Sequence, residues 1–484
     1  MKMTKVKSII AALAVAAIVL PGCKKFLDIN ESPNSTTKAN PDQILPSIEA
    51  SVAHVTSYQY QTYGNFWSQY WTQRPNASQF RTIDAYSSGP ADFDRAWGIL
   101  YANGLSDTDS LISLQHLPKF NQWSARAYIL RAYAFMMLTD GFGDIPLSEA
   151  LQGSGNRSPH YDTQERVYDS VFLWIQKGLD LLDPDNDYQP GAEDILENGE
   201  GWAAFGNTLK LRAYLRISGV NPTKAAAGIQ ALYASNPEFL TENWQINYVD
   251  VGGNQYPIWA EVLQLQIRNQ GASGTVMDKL KEWGDTRISS FFNRYTYPPN
   301  TPGNPPPAFL SIPQGGYDGV PSTTPMSNPS ARVMSGAAPG IIISGSESYF
   351  LQAEAALKGW GTGSAAALYE QGIRASFAWG GRTDAEATTY MANQQVAWNS
   401  ANVDTLQKRI ITQKYFSMVG SQGFEAWSEW RRTHYPEFLV RSQASVLGPN
   451  SRPQRFVYPQ AELTRNANFP GLQNIDVPVW WAKK

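Results

Sequence analysis

Trp123-Ser124-Ala125-Arg126-Ala127-Tyr128-Ile129-Leu130-Arg131-Ala132-Tyr133-Ala134-Phe135-Met136-Met137-Leu138-Thr139 runs without a Gly or Pro, then meets Asp140-Gly141-Phe142-Gly143-Asp144. The first part predicts a helix and the second a turn that ends it. Alanines at 125, 127, 132 and 134 let neighbouring helices approach closely, because the distance between packed helices follows the size of the side chains between them.

The pattern recurs along the chain. In Gln164–Leu182, the apolar residues Val167, Val171, Trp174/Ile175 and Leu181/Leu182 fall at spacings of three and four, and Pro184 ends the run. Trp202–Ser218 predicts another helix, with Gly219 and Pro222 beyond it. Ser346–Lys358 and Ser364–Trp379 form a pair across Gly359, Gly361 and Gly363. Asp404–Val419 and Phe424–Arg432 form a second pair, broken at Gly420 and Gly423. Small residues recur in these segments at Ala203, Ala204, Ala353, Ala355 and Ala356. Helical hairpins of about 30–40 residues are the unit of tetratricopeptide-type repeats. Strict self-similarity is absent. The fold class expected is mostly α: a divergent tetratricopeptide-like helical-repeat scaffold with long irregular aromatic- and proline-rich loops.

Two such loops stand out, over residues 58–86 and 283–340. The second carries Pro298, Pro299, Pro302, Pro305, Pro306, Pro307, Pro313, Pro321, Pro325, Pro329 and Pro339, punctuated by Tyr295, Tyr297, Phe309 and Tyr317. Long stretches without helical period inside a domain are commonly functional. The first combines Tyr60, Tyr63, Phe66, Trp67, Tyr70 and Trp71 with Gln69, Gln73, Arg74, Asn76 and Gln79.

The N-terminus gives an address. Lys2, Lys5 and Lys7 precede the apolar run Ile9–Leu20, and Leu20-Pro21-Gly22-Cys23 closes it. Twelve apolar residues in a helix span about 18 Å, short of a bilayer core of roughly 30 Å. The pattern resembles a bacterial lipoprotein signal: Cys23 would be diacylated, residues 1–22 removed, and the new amine acylated. An ordinary secretory signal followed by an incidental cysteine is the alternative. Cys23 is the only cysteine in 484 residues, which leaves no internal disulfide. Residues 23–41 read as a lipidated flexible tether, and 42–484 as a single domain.

Removing residues 1–22 takes Lys+Arg from 39 to 36 against 42 acids. That acidic balance excludes the electrostatic footprint of a nucleic-acid binder. The 16 Trp and 24 Tyr outnumber the 20 Phe two to one, so many aromatic rings carry a polar handle suited to ligand platforms and interfaces. Asp183, Asp185 and Asp187 with Asp194 have the outward look of a calcium loop, but Tyr188 stands where the sharp turn needs Gly. The four histidines match no metal spacing, and neither a nucleophile elbow nor a nucleotide fingerprint is present. No cofactor and no metal are expected.

Six segments, taken in order, resemble one family. Cys23-Lys24-Lys25-Phe26-Leu27-Asp28-Ile29-Asn30 with Pro33-Asn34 is similar to its opening. Arg131-Ala132-Tyr133-Ala134 leading to Asp140-Gly141-Phe142-Gly143-Asp144-Ile145-Pro146-Leu147 resembles its helix-plus-turn. Trp202 with Asn207-Thr208-Leu209-Lys210-Leu211-Arg212, then Glu347-Ser348-Tyr349-Phe350-Leu351-Gln352-Ala353-Glu354-Ala355 with Gly359-Trp360, resemble two later helices. Gln413-Lys414, Glu425-Ala426-Trp427, Arg431-Arg432 and Tyr435-Pro436, then Arg455-Phe456-Val457-Tyr458-Pro459 with Glu462, resemble its C-terminal segments. The family is the SusD/RagB family, SusD-like branch, of nutrient-binding outer-membrane lipoproteins of Bacteroidetes, and the resemblance covers nearly the whole mature chain.

The resemblance implies a non-catalytic lipoprotein on the outer membrane, facing the cell exterior. It implies binding of oligosaccharide and delivery to a SusC-type TonB-dependent β-barrel transporter, over which the protein sits as a lid. Its helices would pack on the barrel and its loops would face the ligand. An oligopeptide-binding member of the same family is the alternative, and a secreted glycoside hydrolase is a third reading from another class.

The candidate ligand contacts are Trp71, Gln73, Arg74 and Asn76 in the first loop, and Tyr295, Tyr297 and Tyr317 in the second. Sugar rings offer C–H faces to aromatic side chains and hydroxyls to amides and guanidinium groups. The competing reading for the first set is a packed N-terminal cluster, and for the tyrosines, pins that hold a proline-rich loop. Trp427 and Trp430, at i and i+3, read as core. Arg131, Arg431 and Arg432 are expected to satisfy buried carboxylates or carbonyls.

Overall fold

A computed structural model of the chain describes residues 40–196, 199–299 and 301–483. The signal segment, Cys23 and nearly all of the tether lie outside the described residues.

Helix α1 (Pro41–Val55) buries Ile44, Leu45, Ile48, Val52 and Val55, the three- and four-residue spacing of an amphipathic helix. It does not stop at Val55. A π-helical turn, Thr56–Tyr60, carries it into α2 (Gln61–Trp67). The expectation of an irregular loop from residue 58 is therefore corrected: the chain is helical to Trp67 and irregular only beyond it. All residues of α2 are buried, so the segment has no polar face to reveal a helical period. Residues 68–86 then hold strand β1 (Trp71–Gln73) and a single short turn of helix.

After a helical stretch over residues 94–112 comes α3 (Asn121–Phe142), buried at every position from Gln122 to Phe142. It extends three residues past the Thr139 end expected from the sequence and stops at Gly143, whose φ of 94° suits glycine. Strands β2 (Ile145–Pro146) and β3 (Tyr161–Asp162) pair before α4 (Gln164–Leu181). Gln122 bonds the Leu181 carbonyl at 3.0 Å and Tyr168 bonds Asp140 at 2.6 Å, so α3 and α4 run antiparallel. Next come α5 (Gly201–Arg216), α6 (Pro222–Ala234), β4 (Trp244–Ile246), α7 (Pro257–Leu265), β5 (Gln270–Ala272) and α8 (Gly274–Glu282).

Beyond the long loop, β6 (Gly340–Ile343) pairs with β4, and α9 (Gly345–Leu357) lies against α10 (Ala365–Trp379). Phe350 and Ala353 of α9 pack there with Tyr369 and Ile373. Helices α11 (Asp384–Met391), α12 (Val403–Ser417) and α13 (Gly423–Thr433) complete the scaffold. The described strands form three two-stranded antiparallel pairs, so the fold is a mostly α, helical-repeat scaffold as expected. Residues 41–484 fold as one unit.

Charged residues stitch these helices together from inside. Arg212 on α5 makes a fork-to-fork pair with Glu347 on α9 at 2.8 and 2.6 Å. Arg216, one turn later, meets Asp140 at 3.3 Å and Glu429 at 2.9 Å, and also bonds Glu425. Lys414 of α12 lies 3.4–3.5 Å from Glu347, Glu425 and Glu429. Arg432 bonds Glu354 at 2.8 and 2.7 Å, and Glu429. Arg431 donates to the carbonyls of Asp140 (2.6 Å) and Gln454 (3.0 Å). All these side chains are buried, and five cations balance five carboxylates. Buried charges are tolerated only when paired in this way. Burial alone would raise the Glu429 carboxyl, but Arg432, Lys414 and Arg216 outweigh it and hold it far below the usual range. The structural reading of Arg431 and Arg432 thus stands. Arg131 differs from the expectation: it donates to the Thr108 hydroxyl at 2.8 Å and bonds Asp109, whose carboxylate is exposed.

Candidate ligand-binding face

Strand β1 pairs with β5 in the register Trp71↔Ala272, Thr72↔Gly271, Gln73↔Gln270. Trp71 is 1% exposed and Gln73 is fully buried. Gln73 accepts a bond from the Phe80 amide (2.8 Å) and donates to the Arg74 carbonyl (3.1 Å), closing the loop on itself. Beneath it lies Asp84, wholly buried, accepting from Thr72 Oγ1 (2.6 Å), the Gln73 amide (2.9 Å) and Gln314 Nε2 (2.6 Å). Burial pushes the Asp84 carboxyl up, although each of these bonds pulls it down. One inward carboxylate thereby fastens the first loop to the second.

The next residues emerge on the surface. Arg74 is half-buried and donates through Nη2 to the Met326 carbonyl (3.0 Å) and to Asn328 Oδ1 (2.7 Å). Burial, then the like charge of Arg268, lowers its affinity for its proton, and the nearby Tyr295 acts in the opposite sense. Arg268 lies over the Trp259 ring, 5.0 Å from the centroid. Asn76 and Gln79 are exposed, and Gln79 and Asn269 exchange bonds of 3.2 and 3.1 Å. Gln79 also bonds Glu261 on α7.

A groove of about 460 Å³ adjoins this cluster, lined among others by His54, Tyr58, Gln79, Arg95, Gln255 and Glu261. Arg95 sits 5.4 Å from the Tyr58 ring centroid. Burial, followed by the Glu261 carboxylate, pushes the Tyr58 phenol up to about 12. His54 is lowered by burial and by Arg95. The groove therefore keeps a neutral phenol and a neutral imidazole at physiological pH.

From the second loop, Tyr295 is held by two backbone bonds with Ala308 (2.7 and 3.1 Å) and meets Tyr297 edge-on at 5.2 Å. Both rings are half-exposed. Tyr317 is 4% exposed and packs with Ile312 and Met326 beneath Arg81, whose guanidinium lies 4.7 Å from its ring centroid.

The structure joins the two loops through the Arg74–Asn328 bond and leaves Asn76 exposed and Tyr295 and Tyr297 half-exposed on them. It turns Trp71, Gln73 and Tyr317 inward, where they hold the loops and offer no face to solvent. Trp259, Glu261, Arg268 and Asn328 join the cluster without having been singled out in the sequence. For Trp259 and Glu261 the signal there was Pro257 opening a short helix, and for Asn328 its place in the 283–340 loop. Half-exposed aromatic rings beside amide, guanidinium and carboxylate groups can stack on C–H faces and bond hydroxyls.

Among the described residues no group of His, Cys, Asp and Glu is arranged to hold a metal ion. Asp194 is engaged inside by Arg126 Nε (2.6 Å) and Trp202 Nε1 (2.8 Å). No described helix is long and apolar enough to cross a membrane.

Comparison with known proteins follows the same line. A family model described as SusD-like, starch-binding associating with outer membrane, matches residues 33–459. A structure titled chitin-binding protein superposes with a TM-score of 0.78 at 24% identity, covering 92% of this chain and 100% of its own. A SusD homolog from Bacteroides uniformis gives 0.78 at 23% identity, covering 92% and 99%. A chitin-binding SusD homolog from Flavobacterium johnsoniae gives 0.75 at 24% identity, covering 91% and 98%. No curated protein matches the sequence. With a family model spanning most of its length and the fold shared by these structures, the chain belongs to the SusD-like family.

Proposed function

We propose that this protein is a non-catalytic, surface-exposed lipoprotein that binds oligosaccharide and delivers it to a SusC-type TonB-dependent transporter as its lid. The observation that carries the reading is the joining of the two loops by Arg74, which bonds Asn328 at 2.7 Å while Asn293, two residues before Tyr295, bonds the Asn328 carbonyl at 2.9 Å. Aromatic rings stack on sugars, and the guanidinium and amides bond hydroxyls. The starch-binding description of the family and the chitin-binding titles of two similar structures favour glycan over peptide. Arg74, Asn76, Tyr295 and Tyr297 are the proposed contacts. Trp71, Gln73 and Tyr317 support them from below.

The helical scaffold is proposed to rest on the barrel, and Cys23, once acylated, to anchor the protein in the outer membrane, facing the exterior. Isothermal titration against starch and chitin oligosaccharides and a peptide panel tests the ligand. Submicromolar peptide binding with no glycan binding would replace oligosaccharide by oligopeptide. New reducing ends on incubation with polysaccharide, lost on changing one Asp or Glu, would replace the binding protein by a glycosidase. Co-purification of a β-barrel from detergent-solubilised outer membranes tests the partner.

A further inference from the structure

Three open depressions lie end to end on a surface that the loop cluster does not use. One, of about 490 Å³, and a second, of about 570 Å³, share the Trp283 ring as their common wall. A third, of about 730 Å³, joins the first through Lys279, Glu282 and Phe438, and its far end reaches Phe309, next to the Tyr295–Ala308 bridge. Each is in the range of ligand clefts. Together they make a trough running from the second loop to α11.

The floor is aromatic and fixed. Trp283 and Phe438 are half-exposed, and both pack on the buried Phe416, at 5.2 Å edge-on and 5.9 Å stacked. Asn393 donates to the Trp283 carbonyl at 3.1 Å. An indole packed edge-on against a buried ring and held through its backbone is a preorganised platform.

The walls are polar and carry charges of both signs. Lys279 bonds Glu282 at 2.6 Å, Lys408 bonds Glu437, and Arg409 is engaged by the Ala397 carbonyl and by Asn399. With both signs interspersed along it, the lining favours neither an anion nor a cation, and its groups are strong donors and acceptors for hydroxyls.

We propose that this trough is a second saccharide subsite, centred on Trp283, which takes a neutral glycan strand extending beyond the loop cluster. It rests on the glycan-binding reading above. Titration with soluble starch, maltoheptaose, chitohexaose and colloidal chitin tests it in two variants. Trp283→Ala removes the platform. Thr405→Arg obstructs the trough from the half-exposed side of α12 without removing a core contact. Both are expected to weaken binding of the polymeric form of whichever glycan the wild-type protein binds, by roughly threefold to tenfold. Thr405→Arg is expected to do so at an unchanged melting temperature. Wild-type affinity for the polymer in a folded Thr405→Arg protein would overturn the subsite and leave the glycan reading intact. Failure of the wild-type protein to bind any of the four glycans would overturn both.

Discussion

The Arg212 guanidinium and the Glu347 carboxylate face each other through two parallel hydrogen bonds of 2.8 and 2.6 Å, joining residues 135 positions apart. Arg212 also donates to the Ile342 carbonyl at 3.1 Å, and Glu347 accepts from Gln422 at 2.6 Å. The pair locks α5 to α9. Arg212→Ala leaves a buried carboxylate short of its partner and is expected to lose about 3–5 kcal/mol in urea unfolding. Arg212→Met combined with Glu347→Leu is expected to recover at least half of that loss, since neither charge is then stranded.

Glu49 predicts a pH dependence. Its carboxylate accepts the Ile195 amide at 2.9 Å. Burial, then the neighbouring Asp194, raises it well above the usual range. With the folded value raised, the native state binds more protons than the unfolded chain between the two values, so stability falls as pH rises through that window. Relative to Glu49→Gln, the wild-type protein is expected to lose stability from about pH 4 upward until the raised value is passed. Urea midpoints measured across that range for both proteins check the sign.

Core and face residues of the same loop should separate. Trp71→Ala empties a buried indole site and is expected to cost about 3–5 kcal/mol while leaving the affinity of the surviving folded fraction unchanged. Asn76→Ala and Tyr295→Ala are expected to weaken glycan binding several-fold and shift the melting temperature by less than about 2 °C. Melting curves paired with titrations distinguish the two classes.

Helices α2 and α13 cross glycine on glycine. A Cβ at Gly64 would stand 2.0 Å from the Phe424 nitrogen, and one at Gly423 would stand 2.4 Å from the Asn65 nitrogen. Backbone cannot yield as a flexible side chain can. Gly64→Ala is expected to cost more than the usual overpacking penalty of about 1–3 kcal/mol, seen as loss of soluble folded protein or a sharply lowered melting temperature.

Cys23→Ala is expected to leave ligand affinity in solution unchanged and to abolish both membrane retention and glycan uptake. Detergent-phase partitioning and growth on the glycan measure the two effects.

Much of the helical scaffold was legible in the sequence, and the reason is local. Val167, Val171 and Ile175 show a spacing that only a helix with one buried face requires, and the helix over Gln164–Leu181 follows it. Helix α2 was not legible, because Gln61 through Trp67 are all buried and their polar and apolar residues do not sort onto two faces. Helix α7 was missed as well, being short, and with it Trp259 and Glu261.

The sequence by itself determined seven of the helices, to within three residues at each end, and the proline-rich loop, since each depends on residues within a few positions of one another. Only the tertiary structure decided that Trp71 lies inside while Arg74, three residues on, reaches Asn328. It alone decided that Arg216 meets Glu425 and Glu429, 209 and 213 positions away. Partner choice for a buried charge, and the side of a short strand that faces solvent, are set by what packs against them. In this chain that packing comes from segments far apart in sequence, which no local spacing encodes.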